Sequence, residues 1–236
     1  MTILDPHPVL ALTRVGPITP HGVMFALGAV VAALWFGRQV ARAGLFRFVE
    51  GVEKGVIIFI AGLFCARFGY LLTYRSEWVE MSQLFAVWQG GLVSFWGIVG
   101  GALVAWYSGR RFTAGQWVEW ARAATLAALL GWAIGRIGNY YMGDSYGVPS
   151  QVWQAFYGRV PIQLFESLLC FALWFFLRRM EGMRAVWLAA LGYFAGRLVI
   201  DTWRDEGVFG LLHVSQWVSL LVLLILAFSY VRTRPR

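Results

Sequence analysis

Seven apolar runs, each close to the length of a membrane-spanning helix, recur along this chain of 236 residues and leave little room for a water-soluble fold. Crossing a bilayer as a helix takes about 20 mostly apolar residues. The runs lie near 22–40, 54–74, 86–107, 117–135, 162–178, 185–203 and 212–231. Charged residues make up 14% of the chain, against roughly 25% in an ordinary soluble domain. With 59% hydrophobic residues, the polar groups are too few to coat a globule. The expected fold is all-α: a polytopic membrane protein of about seven transmembrane helices, one transmembrane domain over 1–236. Five glycines, at 90, 91, 97, 100 and 101, mark the third run as a broken or closely packed helix. The stretch 136–161 is wetter and is expected to form a polar external loop or arm.

The basic residues test this topology through the positive-inside rule. Threading the seven runs back and forth puts twelve of the twenty Lys and Arg residues on one side, five on the other and three within spans. The richer side holds Arg38, Arg42, Arg47, Lys54, Arg110, Arg111, Arg178, Arg179, Arg184, Arg232, Arg234 and Arg236. An odd number of spans is therefore expected, with the N-terminus outside and the C-terminus in the cytoplasm. The net charge of +8 is almost wholly arginine, placed between apolar runs. Anionic membrane lipids are the expected partner, and nucleic acid is not. Most of the 13 tryptophans flank the runs, as an aromatic belt does. Cys65 and Cys170 lie inside apolar runs and are expected to be packing residues. The first 20 residues show no basic head and short apolar core, so insertion is expected to rest on the first span.

Ionisable side chains inside a bilayer are costly, and each needs a reason. Arg67 falls in the second run, Arg136 at the outer end of the fourth and Glu166 near the outer end of the fifth. Arg197 and Asp201 stand four residues apart in the sixth, on one helix face where they can pair. Arg136, Glu166, Asp201 and Arg204 share a depth toward the external side, which suggests a common cavity. The alternative is a set of interhelical ion pairs that only hold the bundle. The run Gly135-Arg-Ile-Gly-Asn-Tyr-Tyr-Met-Gly-Asp-Ser-Tyr-Gly147 favours the cavity. Its four glycines allow tight turns and close approach, Arg136 offers a planar cation suited to phosphate, and Asn139 offers both donor and acceptor. Together they suit an anionic lipid head group. No cluster of metal ligands is visible.

At these residues the chain resembles the prolipoprotein diacylglyceryl transferase family. The hallmark run of that family falls on Arg136, Asn139, Asp144 and Gly147, with aspartate where glutamate is usual. Further similarities are the opening Pro8-Val-Leu and Gly16-Pro-Ile, Arg67-Phe-Gly-Tyr, Trp88-Gln-Gly-Gly with Ser94-Phe, the Gln163 and Glu166 of Pro161-Ile-Gln-Leu-Phe-Glu166, Arg197 with Asp201 and Trp203-Arg204, and Ser215-Gln216. The resemblance implies a multi-pass enzyme of the bacterial plasma membrane. It would move a diacylglyceryl group from phosphatidylglycerol to the lipobox cysteine thiol of a prolipoprotein, without a cofactor. It also implies that Arg136 and Arg197 bind the head group and stabilise the leaving phosphate. Asn139 would orient the lipid, and Glu166, Asp144 and Asp201 would position the arginines.

Two positions depart from the family pattern. Trp96 stands where the family has a histidine, a proposed general base, and an indole only donates a hydrogen bond. His21 stands where the family has a tyrosine, and histidine titrates near neutrality, so His21 is a candidate base. Val160 occupies the place of a further family histidine. His7 and His213 are expected at the surface or interface. A lipid-handling relative that has lost the thiol chemistry is a second reading of Trp96 and His21. A small-molecule transporter is a third, although no inverted repeat is visible.

Overall fold

The computed structural model describes residues 20–73, 84–85, 92–143, 146–153 and 158–233. Seven α-helices run through them: α1 (Pro20–Arg42), α2 (Phe48–Thr73), α3 (Ser94–Gly109), α4 (Ala114–Met142), α5 (Ile162–Leu177), α6 (Met183–Ile200) and α7 (Val214–Thr233). A 3-10 turn, Asp201–Trp203, follows α6, and one small antiparallel hairpin, β1 (Val208–Phe209) and β2 (Leu212–His213), precedes α7. Three helical stretches, His21–Arg42, Phe48–Thr73 and Met183–Trp203, are long and apolar enough to cross a membrane, and Ile162–Leu177 and Val214–Ser229 are apolar but shorter. Large apolar side chains such as Leu168, Phe176, Leu224 and Phe228 lie exposed on helix surfaces. Water would not tolerate so much contiguous apolar surface, and lipid does. The chain is thus an all-helical membrane protein.

The described residues gather into two compact units, 29–127 and the remainder. In the first, Phe36, Val40, Trp120, Ala123 and Ala127 form the core. Trp120 is fully buried, edge-on to Phe36, Phe46 and Phe112, and its Nε1 donates to the Ala105 carbonyl at 2.9 Å. That bond satisfies the one polar atom of an otherwise apolar anchor. At the start of α4, Thr113 and Gln116 cap each other, the Thr113 amide donating to Gln116 Oε1 and the Gln116 amide to Thr113 Oγ1. Helices α2 and α3 meet through small residues. A Cβ on Gly62 would lie 3.0 Å from the Gly97 carbonyl oxygen, and one on Gly100 would strike the Cys65 sulfur at 2.3 Å. The sequence start of the third span, 86–91, lies outside the described residues.

Trp96 belongs to this contact. A Cβ on Gly69 would come within 2.0 Å of its indole Cδ1. The indole therefore occupies the space that glycine leaves, within the Arg67-Phe-Gly-Tyr motif. Gly69→Ala is expected to lower stability by about 1–3 kcal/mol through overpacking. Trp96→Ala in the same chain should restore most of that loss, as read from thermal unfolding in detergent. An additive double variant would show that the ring yields without cost.

In the other unit, α4 corrects the sequence reading. The helix continues to Met142, so Arg136 and Asn139 are helical and the polar loop begins at Gly143 rather than at 136. The glycines that suggested turns serve a helix contact instead. A Cβ on Gly138 would stand 2.9 Å from Met24 Cβ and 3.0 Å from His21 Cα, and one on Gly28 would stand 2.7 Å from the Gly131 carbonyl oxygen. The absence of side chains lets the first turns of α1 lie against the end of α4. Among the four glycines of the 135–147 run, Gly143 alone has a positive φ, of 72°, and it ends the helix in the left-handed conformation that suits glycine. Cys170 is buried as expected, and Cys65 is half-buried; both are free thiols. His213, expected at the surface or interface, is 8% exposed, in the strand that leads into α7.

Candidate active site

Glu166 organises the polar interior of the second unit. It sits in α5 and is 1% exposed. Its Oε2 faces Arg136 Nε of α4 at 2.5 Å. Its Oε1 accepts from Arg197 Nη1 of α6 and from Arg204 Nη2, the latter at 2.7 Å. Arg197 also reaches Asp201, Nη2 to Oδ2 at 3.0 Å, across the i,i+4 spacing of α6 and the turn after it. Arg204 closes the circuit, with Nε donating to Asp201 Oδ1 at 3.1 Å and Nη1 donating to Glu206 Oε1 at 2.8 Å. All five of Arg136, Glu166, Arg197, Asp201 and Arg204 are buried. Three buried guanidiniums thus face two buried carboxylates in a low-dielectric interior, and the exposed Glu206 supplies a third acid to Arg204 at the rim. Fixed, preorganised guanidiniums of this kind suit a phosphate group.

Neighbouring contacts fix the cluster in place. Ser167 Oγ donates to the Ala133 carbonyl at 2.7 Å and ties α5 to α4 one turn before Arg136. The Arg136 guanidinium lies over the Trp132 ring at 5.1 Å. Gly147 pairs with Arg204 in an antiparallel bridge, and a Cβ there would stand 2.6 Å from the Val160 carbonyl oxygen and 2.8 Å from that of Trp203. The close approach that a glycine permits is made here by the chain's own backbone, which holds the segment carrying Arg204. Arg159 braces the same segment, its Nη1 donating to Asp205 Oδ2 at 2.7 Å and to the Gly147 carbonyl at 3.2 Å. Burial alone would lower the pKa of Arg204, but Glu166, Asp201 and Glu206 outweigh it and push it above its ordinary value. Arg204 is a permanent cation.

A family model described as prolipoprotein diacylglyceryl transferase matches residues 8–232. The chain belongs to the prolipoprotein diacylglyceryl transferase family. Relatives named phosphatidylglycerol–prolipoprotein diacylglyceryl transferase include those of three organisms. That from Streptomyces griseus is 33% identical over 96% of this chain and 76% of its own length. That from Cupriavidus pinatubonensis is 31% identical over 90% and 86%, and that from Trichormus variabilis 30% identical over 98% and 92%.

The residues that the family resemblance singles out divide between the two units. Arg136, Glu166, Arg197 and Asp201 meet in the charged cluster, and Gly147 supports it through Arg204. Asn139 lies one turn beyond Arg136 on α4, half-buried. Gln163 is 1% exposed in the first turn of α5. His21 lies in the first turn of α1, where its Cα and carbonyl oxygen lie against Gly138, the residue before Asn139. Arg67 and Trp96 belong to the other unit, Arg67 buried in α2 and Trp96 partly exposed in α3. Asp144 lies outside the described residues. Arg204 is the cluster residue to which the sequence reading gave no role. Its signal was present, since it follows Asp201 by three residues and Arg197 by seven, on the face those two share.

Proposed function

We infer that the Glu166-centred cluster is where this transferase holds the phosphodiester of phosphatidylglycerol. The chain moves a diacylglyceryl group from phosphatidylglycerol to the cysteine thiol of a prolipoprotein, as its family and its named relatives do. The observation that carries the site assignment is the convergence of Arg136 and Arg197 on the two oxygens of one buried carboxylate. In the reaction, the thiolate sulfur attacks the glycerol carbon that bears the phosphate ester. A carbon–sulfur bond forms, the carbon–oxygen bond breaks, and glycerol phosphate leaves with the electron pair. Charge builds on the leaving phosphate, and fixed guanidiniums stabilise it without reorganising. Glu166 and Asp201 hold the guanidiniums, and Asn139, one turn away, orients the head group. Gln163, beside Glu166 on α5, is placed among the lipid-binding residues; Asp144, Arg67 and Trp96 are assigned there from the family pattern.

The thiol must lose its proton before it attacks. Trp96 cannot accept it, and we assign that role to His21, which stands against the turn of α4 that carries Arg136 and Asn139. His21→Ala is expected to slow transfer about 100-fold. Added imidazole should recover part of the rate. An unchanged rate in this variant would remove His21 from the chemistry.

About seven spans, the N-terminus outside and the C-terminus in the cytoplasm of a bacterial plasma membrane fit the seven helices and the one-sided arginines. The cluster and the segment after Met142 then face the outer leaflet. Complementation tests the function as a whole. The chain should restore growth and lipoprotein modification to a strain whose own transferase is shut off, and Arg136→Ala should not. Failure of the unsubstituted, membrane-inserted chain would favour a lipid-handling role without thiol transfer.

A further inference from the structure

The hairpin between α6 and α7 exposes a tip that water does not favour. Val208 is 62% exposed, Phe209 74% and Leu211 91%. It is not a slack loop. Its strands pair Val208 with His213 and Phe209 with Leu212, and Gly210 turns the chain at a φ of 70°. Trp217 Nε1 of α7 donates to the Phe209 carbonyl at 2.9 Å and pins the tip to that helix. At its root, Asp205 and Glu206 are held by Arg159 and Arg204. A segment with ionic ties at one end and a rigid apolar point at the other is built to lie across a polarity boundary.

We propose that this hairpin is a wedge seated in the lipid leaflet, at the boundary between head groups and acyl chains, and that it sets the depth of the Arg204–Glu166–Arg197 cluster against the lipid phosphate. The depth-setting part rests on the phosphatidylglycerol site proposed above. Lipid is the occupant because the exposed apolar surface continues from the tip into α6 and α7, both apolar helices, through Val199, Val214 and Leu221. Trp203 and Trp217 are partly exposed on either side, the place that an indole takes at a membrane interface. The step from Arg204 to Phe209 is five residues, so a shift of the tip moves the arginine with it.

The test places a fluorophore on Leu211→Cys, a substitution at an open position, in phosphatidylglycerol-containing vesicles. Gln151→Cys, exposed in the polar loop, is the aqueous comparison, and the unsubstituted chain gives the background from Cys65 and Cys170. Lipids bearing a quencher high on the acyl chain should quench the label on residue 211, and iodide should reach it far less than the label on residue 151. Equal quenching by iodide at both positions would overturn the wedge. This readout needs no catalysis, so it stands apart from the fate of the transferase reading. In the transfer assay, the doubly substituted Phe209→Asp/Leu211→Asp chain should show an apparent KM for phosphatidylglycerol raised about 10-fold with kcat within about 2-fold. An unchanged KM in a chain shown to be inserted would overturn the depth-setting role.

Discussion

Glu166→Ala is expected to unfold the second unit more readily than any other substitution in the cluster, at a loss of about 3–5 kcal/mol. The reason is the count of charges. Three buried guanidiniums, Arg136, Arg197 and Arg204, use this carboxylate, and Asp201 alone is left among the buried acids when it goes. Arg136 then loses the acid it faces, and Arg197 must share Asp201 with Arg204, inside the protein, where water cannot replace the lost charge. Glu166→Gln should fall between, since the amide keeps the shape but supplies no charge and turns an NH2 toward a guanidinium. Thermal unfolding in detergent, followed by loss of monodisperse protein, reads the difference. A Glu166→Ala chain as stable as the parent would show that the arginines are solvated and the carboxylate is not their keystone.

Arg197→Ala should behave in the opposite way, remaining folded while transfer falls by about 1000-fold or more. Its removal leaves Arg136 and Arg204 against Glu166 and Asp201 in the interior, with Glu206 exposed to water, so each buried acid keeps a cation and the interior tolerates it. Catalysis does not, because one of the two fixed guanidiniums assigned to the phosphodiester is gone. Arg197→Lys separates charge from geometry. The guanidinium touches Glu166 through Nη1 and Asp201 through Nη2 at once, and an ammonium, being a point donor, cannot span both with the same geometry. The lysine chain should therefore keep some lipid binding and lose most of its turnover. Equal turnover in the lysine and arginine chains would mean that charge alone matters at this position.

The helices were legible because lipid-facing spans announce themselves by length and apolarity, and the observed bounds follow the apolar runs for α1, α2, α5, α6 and α7 within several residues. The end of α4 was not legible. Arg136, Gly135 and Gly138 look like a loop when water is assumed around them, and only the partners Glu166 and α1 make them helical. Burial of a charge depends on a partner far along the chain, which periodicity does not report. The i,i+4 pair of Arg197 and Asp201 was readable from spacing, whereas the share of Glu166 in it, 31 residues away from Arg197, was suggested only by common depth. Gly147 marked a close approach but not what approaches. The hairpin at 208–213 was hidden, because its apolar residues merge with the start of the last span and four paired residues make no pattern of their own.

The measurement closest to the central claim is transfer of labelled diacylglyceryl from phosphatidylglycerol to a lipobox peptide by the purified protein, run beside Arg136→Ala and Arg197→Ala. Thioether-linked product from the parent chain, and almost none from either folded variant, is the expected result. Full activity in both variants, or no product from the parent while a family relative works in the same vesicles, would contradict it.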